Sequence, residues 1–235
     1  MSQLDVASGE IVAYAGESAR SRFIKNTYLH TAAAIGIFAL VEAILIRSGI
    51  AEGFMQVLGA SQWSWLIVLA VFMGVGYIAN SWAHSGLSRP LQYAGLGLFI
   101  LAEAIIFMPL VYIAQAKAPD VLQHAAIVTA ALVAGISYTA FSTRKNFSFL
   151  APALSIGGIV AIGVIIASIV FGFTLGLFFS AAMIVFAGAA ILYTTSNIIH
   201  EYHTEQHVAA SLALFSGIAL LFWYVVQFML SFMDE

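Results

Sequence analysis

The stretch "NFSFLAPALSIGGIVAIGVIIASIVFGFTLGLFFSAAMIVFAGAAILYTTSNII", Asn146 to Ile199, contains no Asp, Glu, Lys, Arg or His. As one continuous helix its 54 residues would extend about 80 Å at about 1.5 Å per residue. The hydrocarbon core of a bilayer is only about 30 Å thick, and about 20 apolar residues cross it. The run must therefore fold back on itself. The predicted turn is Phe171-Gly172-Phe173-Thr174, whose glycine accepts backbone conformations that other residues resist. Two spans result, Leu150 to Phe171 and Thr174 to Asn197.

Outward from this pair, five more apolar segments are long enough to cross: Thr27 to Ile46, Trp63 to Ala83, Pro90 to Gln115, Val121 to Phe141 and Val208 to Phe232. A transmembrane β-barrel would alternate polar and apolar residues in blocks of about ten, whereas these runs are apolar all round. The predicted fold is an all-α integral membrane protein, a bundle of seven transmembrane helices. Composition agrees: 62% of the 235 residues are hydrophobic and 8% charged, the mean hydropathy is +1.00, and soluble domains carry about 25% charged residues. The chain has no cysteine, which excludes disulfides and thiolate metal sites. Eight cations in short separate stretches form no patch able to neutralise many phosphates, so a nucleic-acid partner is excluded. Small residues recur in the spans, as at Gly74 and Gly76, Gly95 and Gly97, Gly157 and Gly158, and Gly172 and Gly176. Their expected role is to let helix backbones approach closely in lipid.

Arg20, Arg22, Lys25, Arg89, Arg144 and Lys145 fall on one side of the bundle, against Arg47 and Lys117 on the other. By the positive-inside rule the orientation is N-in, C-out. Residues 1–24 precede the first span and carry Asp5, Glu10 and Glu17 rather than the basic start of a cleaved signal. They are expected to remain as a cytoplasmic N-terminal arm, either a mobile end or a handle for a cytosolic partner, ahead of a single membrane domain over residues 25–235.

Glu103 is the most costly residue, near the middle of the third span in "LFILAEAIIFMPLVYIAQ". A carboxylate at that depth costs about 2.5–3.5 kcal/mol on insertion scales. It is read as a proton or cation site beside a kink at Pro109, or as a neutral acid bonded to another helix. Glu42, five residues before Arg47, is expected to form a solvated pair with it at the interface, the other reading being a pathway residue. Asn80 and His84 share a helix face near the boundary. His200, His203 and His207 would lie on one face if the sixth helix continued through them, which makes them weak candidates for zinc or nickel. A solvated turn whose charge changes between about pH 5 and 8 is the alternative. No Gly-x-Ser-x-Gly elbow, zincin motif, Walker loop or dinucleotide loop occurs. The serine beside His84 in "WAHSGLS" makes no catalytic dyad by adjacency alone. No catalytic residue and no cofactor are expected.

Three patches together resemble the Bax inhibitor-1 family of seven-helix membrane proteins, in particular its bacterial YccA-like branch. They are "KNTY" at Lys25 to Tyr28, "STRKNFSFL" at Ser142 to Leu150, with Thr143, Arg144, Lys145 and Ser148, and "ILYTTSNIIH" at Ile191 to His200, with Thr195, Ser196 and Asn197. The histidine-rich continuation is outside the pattern. The resemblance implies a bacterial inner-membrane protein that binds the membrane-anchored AAA protease FtsH or its associated complex and restrains it. Calcium-leak members of the family carry an aspartate pair that resembles a proton-sensitive latch. The matching positions here are Thr194 and Gly217, and neither ionises. The first expectation is thus a non-enzymatic protease modulator, a tightly packed bundle with few unsatisfied groups that resists extraction. Its rival is a pH-sensitive leak for calcium or protons centred on Glu103, with Glu42 at the outer mouth. The sequence does not set the oligomeric state.

Overall fold

A computed structural model describes residues 9–86, 88–143 and 145–233 of the chain. These residues form eight helices: α1 (Glu17–Arg47), α2 (Ile50–Gly59), α3 (Gln62–Ala83), α4 (Arg89–Lys117), α5 (Asp120–Thr143), α6 (Leu150–Phe171), α7 (Gly176–His200) and α8 (His207–Met233). All but α2 are long and apolar enough to cross a membrane. The charge-free run divides where its length demanded. Gly172 ends α6 with φ of 72°, in the left-handed region that a side chain disfavours, and its amide donates to the Ser168 carbonyl at 2.9 Å.

Local chemistry sets several other boundaries. Ser61 starts α3 by accepting from the Trp63 amide at 3.2 Å. Ser88 does the same for Leu91 at the head of α4, where Pro90 sits in the first turn, a position that does not require its missing N–H. Helix α4 runs on through Pro109. Helix α2 was not expected. Its ten residues rise about 15 Å, too short to cross, and Ala51 and Leu58 anchor it against the bundle.

Helices α4 and α8 form the centre of the molecule and bury the largest shares of their length. They pack on one another, with α1, α3, α5 and α7 around them. Helix α6 is outermost, resting on α7 and α3 with Ala161 as its sole buried residue. The close-packing role expected of the glycines belongs to some of them only. At Gly95 a Cβ would lie 2.5 Å from the Ala79 carbonyl oxygen and 2.7 Å from the Ala83 nitrogen, so α3 and α4 touch backbone to backbone. Gly74 and Gly97 face open space.

The N-terminal arm differs from the mobile end among the expectations. From residue 9 onward it is folded. Val12 is fully buried, and Ala15 and Phe23 are nearly so. The Val12 amide donates to the Tyr202 carbonyl at 2.9 Å and the Thr204 amide to the Glu10 carbonyl at 3.0 Å, an antiparallel bridge pairing Ile11 with His203. Arg20 donates to the carbonyls of Val12, Ala13 and Ala15. Residues 17–24, also expected in the arm, are the first turns of α1. Asp5, Arg144, Asp234 and Glu235 lie outside the described residues.

Candidate functional site

Glu103 lies on central helix α4 with 7% of its surface exposed, and it lines a cavity of about 440 Å³ between α3, α4, α6 and α8. No hydrogen bond reaches its carboxyl group among the described residues, and its oxygens are not sealed off from the cavity as those of Glu42 are. The surrounding wall mixes aromatic and aliphatic side chains. Phe72 and Phe99 sit 6.2 Å apart, and Trp223 meets Phe107 edge-on at 4.9 Å. Trp65 in the first turn of α3, Leu175 between α6 and α7, and Gln227 late in α8 also line it. The cavity therefore extends from Glu103 toward the end of the bundle opposite the N-terminal arm. Sequence reading isolated Glu103 but missed this wall; the one local sign was the aromatic and amide cluster "FWYVVQ" in the last span.

Glu42 is placed differently from the expected interfacial pair with Arg47. It is 5% exposed, and both carboxyl oxygens are buried without a partner. The reason is angular. Five residues turn a helix by about 500°, leaving the two side chains about 140° apart, whereas neighbours on a face are three or four apart. Glu42 is absent from the cavity lining, so the structure does not bring the two glutamates into one chamber.

The three histidines do not share a face, because α7 ends at His200 and α8 begins at His207. The ring Nδ1 of His200 bonds the Ser196 carbonyl at 2.9 Å, and that of His203 bonds the Gly9 carbonyl. His207 faces a different group. Its ring lies 5.1 Å from that of His30 on α1, and the hydroxyl of Tyr93 on α4 is 3.0 Å from His30 Nε2 and 3.5 Å from His207 Nε2. Beside them Arg89 pairs with Glu205. No group of three metal-ligating side chains occurs among the described residues. His84 likewise turns to its own helix, at the Asn80 carbonyl 2.9 Å away.

The three sequence patches meet in space, with Tyr28 of the first patch beside Thr195 and Ile198 of the third. Ser196, fully buried on α7, accepts from the Phe147 amide at 2.9 Å and reaches the Lys145 carbonyl at 3.5 Å, pinning the α5–α6 connection. Asn146 closes that connection by accepting from the Ser148 amide at 2.8 Å. Thr143 bonds back to the Thr139 carbonyl. At the first patch, the Thr27 carbonyl accepts from Ser211 on α8 and from Thr31, each at 2.9 Å. Burial pushes the Tyr202 phenol, on the α7–α8 connection, up to about 12, with Tyr193 and Glu201 adding to the effect, so it stays a neutral group at physiological pH.

Not every polar group at this end is satisfied. The side-chain oxygens of Thr27 and Asn197 are buried without partners, while the Thr195 side chain lies within reach of the Tyr28 hydroxyl. Thr194 is half-buried on α7. At Gly217 a Cβ would come within 3.0 Å of Ile191, so α7 and α8 are in tight contact there.

The family model described as inhibitor of apoptosis-promoting Bax1 matches residues 20–234. A protein of Pseudomonas aeruginosa is 28% identical over 88% of this chain and 88% of its own length. A membrane protein of Vibrio cholerae is 26% identical over 86% of each chain. A Golgi anti-apoptotic protein of vaccinia virus, strain Lister, is 30% identical over 69% of this chain and 67% of its own. No solved structure matches.

Proposed function

The chain belongs to the Bax inhibitor-1 family of multi-pass membrane proteins, and from that premise we propose that it is a non-enzymatic protein of the bacterial inner membrane that restrains an FtsH-type AAA protease. The observation that carries this reading is the docked arm. Residues 9–16 add their own backbone hydrogen bonds to the α7–α8 connection, and Ser196 ties the α5–α6 connection to the same end. In the N-in orientation that end faces the cytoplasm, where the protease's unfolding module works. A machine pulling from the N-terminus has to undo this docked segment before it reaches α1, and local opening energy sets how often the segment is free. A partner that is gripped but yields slowly occupies the protease.

In-membrane crosslinking followed by co-purification tests this with the parent chain and Val12→Asp, which places an unpaired charge where Val12 is fully buried. The parent should be recovered with intact protease and persist. The variant should be degraded several-fold faster, because its arm is released. Equal persistence of both chains, or no crosslink to the protease, contradicts the reading.

A second reading, the pH-sensitive leak for calcium or protons through Glu103, is supported by the carboxyl group open on a cavity. Flux into liposomes should then fall sharply in Glu103→Gln, and a parent chain that passes no ion ends this reading. Glu42 does not line this cavity, so the proposed route is centred on Glu103, and Glu42→Gln is the matching test for a role at the outer mouth.

A further inference from the structure

The cavity at Glu103 has a chemistry of its own. Among the described residues Glu103 is the single ionisable acid or base on its wall, apart from the Tyr224 phenol, and no other charged side chain lines it. Its carboxyl group has no hydrogen-bond partner among the described residues and opens on the space. Trp65, Phe72 and Trp223 form aromatic parts of the wall, and a volume of about 440 Å³ falls within the usual range for small-molecule pockets, about 300–1,000 Å³.

An inorganic calcium ion suits this wall poorly. Calcium takes about six to eight oxygen ligands, and among the described residues the side-chain oxygens on this wall belong to Glu103, Ser216, Tyr224 and Gln227 alone. A cation that carries its own apolar shell suits it well. Such a cation needs little hydration, fills apolar space, meets aromatic faces that attract positive charge, and neutralises one buried carboxylate in a low dielectric. We propose that the cavity between α3, α4, α6 and α8 binds a lipophilic organic monocation, with Glu103 as counter-ion and Trp65, Phe72 and Trp223 as its aromatic wall. This site is independent of the protease reading, since it lies toward the opposite end of the bundle from the docked arm.

The experiment measures saturable binding of tetraphenylphosphonium to the full chain in nanodiscs, with triphenylphosphine oxide as a neutral probe of similar aromatic surface. One site per chain is expected, with affinity reduced about tenfold or more in Glu103→Gln and several-fold in Trp223→Leu. Glu42→Gln, which alters the other buried acid outside the cavity, should bind as the parent does. Unchanged affinity in Glu103→Gln overturns the proposal. So does equal binding of the neutral probe, which would mark a merely apolar cavity, or displacement of the bound cation by micromolar calcium, which would mark an inorganic-ion site. Folding of each variant is read separately from its thermal unfolding, and Glu103→Asp, which retains the charge on a shorter arm, should recover part of the affinity lost in Glu103→Gln.

Discussion

Two glutamates in neighbouring helices show what one residue can and cannot reveal in a sequence. Glu103 stood out by position alone, because a carboxyl group in mid-span must find an interior, and it did. Glu42 lay close enough to Arg47 to suggest a pair, and only the helical angle between them decides otherwise. Its buried, unpartnered oxygens make a prediction. Glu42→Met, which keeps the volume and removes the desolvated carboxyl, should raise stability by about 1–3 kcal/mol, read as a higher melting temperature in detergent; a fall would show that Glu42 has a partner. Glycines divide in the same way. Gly95→Ala should cost about 1–3 kcal/mol, since its Cβ would press on backbone atoms of α3 that have no rotamer to yield. Gly97→Ala, facing open space, should leave the melting temperature of the bundle within experimental scatter of the parent. The two look alike in sequence because a shared residue type says nothing about which face meets a helix.

At the scale of elements, apolar length was enough to find every crossing. Leu150–Phe171 matches its predicted span end to end, since an uncharged run with a glycine turn leaves few ways to fold. Helix α1 begins at Glu17, ten residues ahead of the predicted Thr27, because its first turns are polar and leave no hydropathy signal. Helix α2 escaped for the related reason that ten residues cannot span. The family patches were visible as words, but their meeting was not, as Ser196 and Phe147 are 49 positions apart. That contact carries its own prediction. Ser196→Ala strands the Phe147 amide at a cost of about 1–2 kcal/mol, and hydrogen exchange should show this amide opening faster while the centre of α8 stays protected. Unchanged exchange at Phe147 would mean another acceptor takes over.

For the whole molecule, the decisive feature is long-range and had no local signature: residues 9–16 pack against a connection nearly two hundred positions later. The apolar "IVAYA" in a polar arm was the available hint, and it does not say where it docks. With the arm folded down, one end of the bundle becomes a joined surface of the N-terminal segment, the α5–α6 connection and the α7–α8 connection. The cavity at Glu103 extends toward the other end. The proposed protease contact and the proposed binding at Glu103 lie at different ends, so Glu103→Gln should leave protease restraint unchanged while Val12→Asp abolishes it. The measurement that tests the account most directly is the turnover of a membrane-protein substrate by purified FtsH-type protease in proteoliposomes, with and without a stoichiometric amount of this chain. The account predicts several-fold slower turnover with the parent chain and restored turnover with Val12→Asp; an unchanged rate in the presence of the folded parent would contradict it.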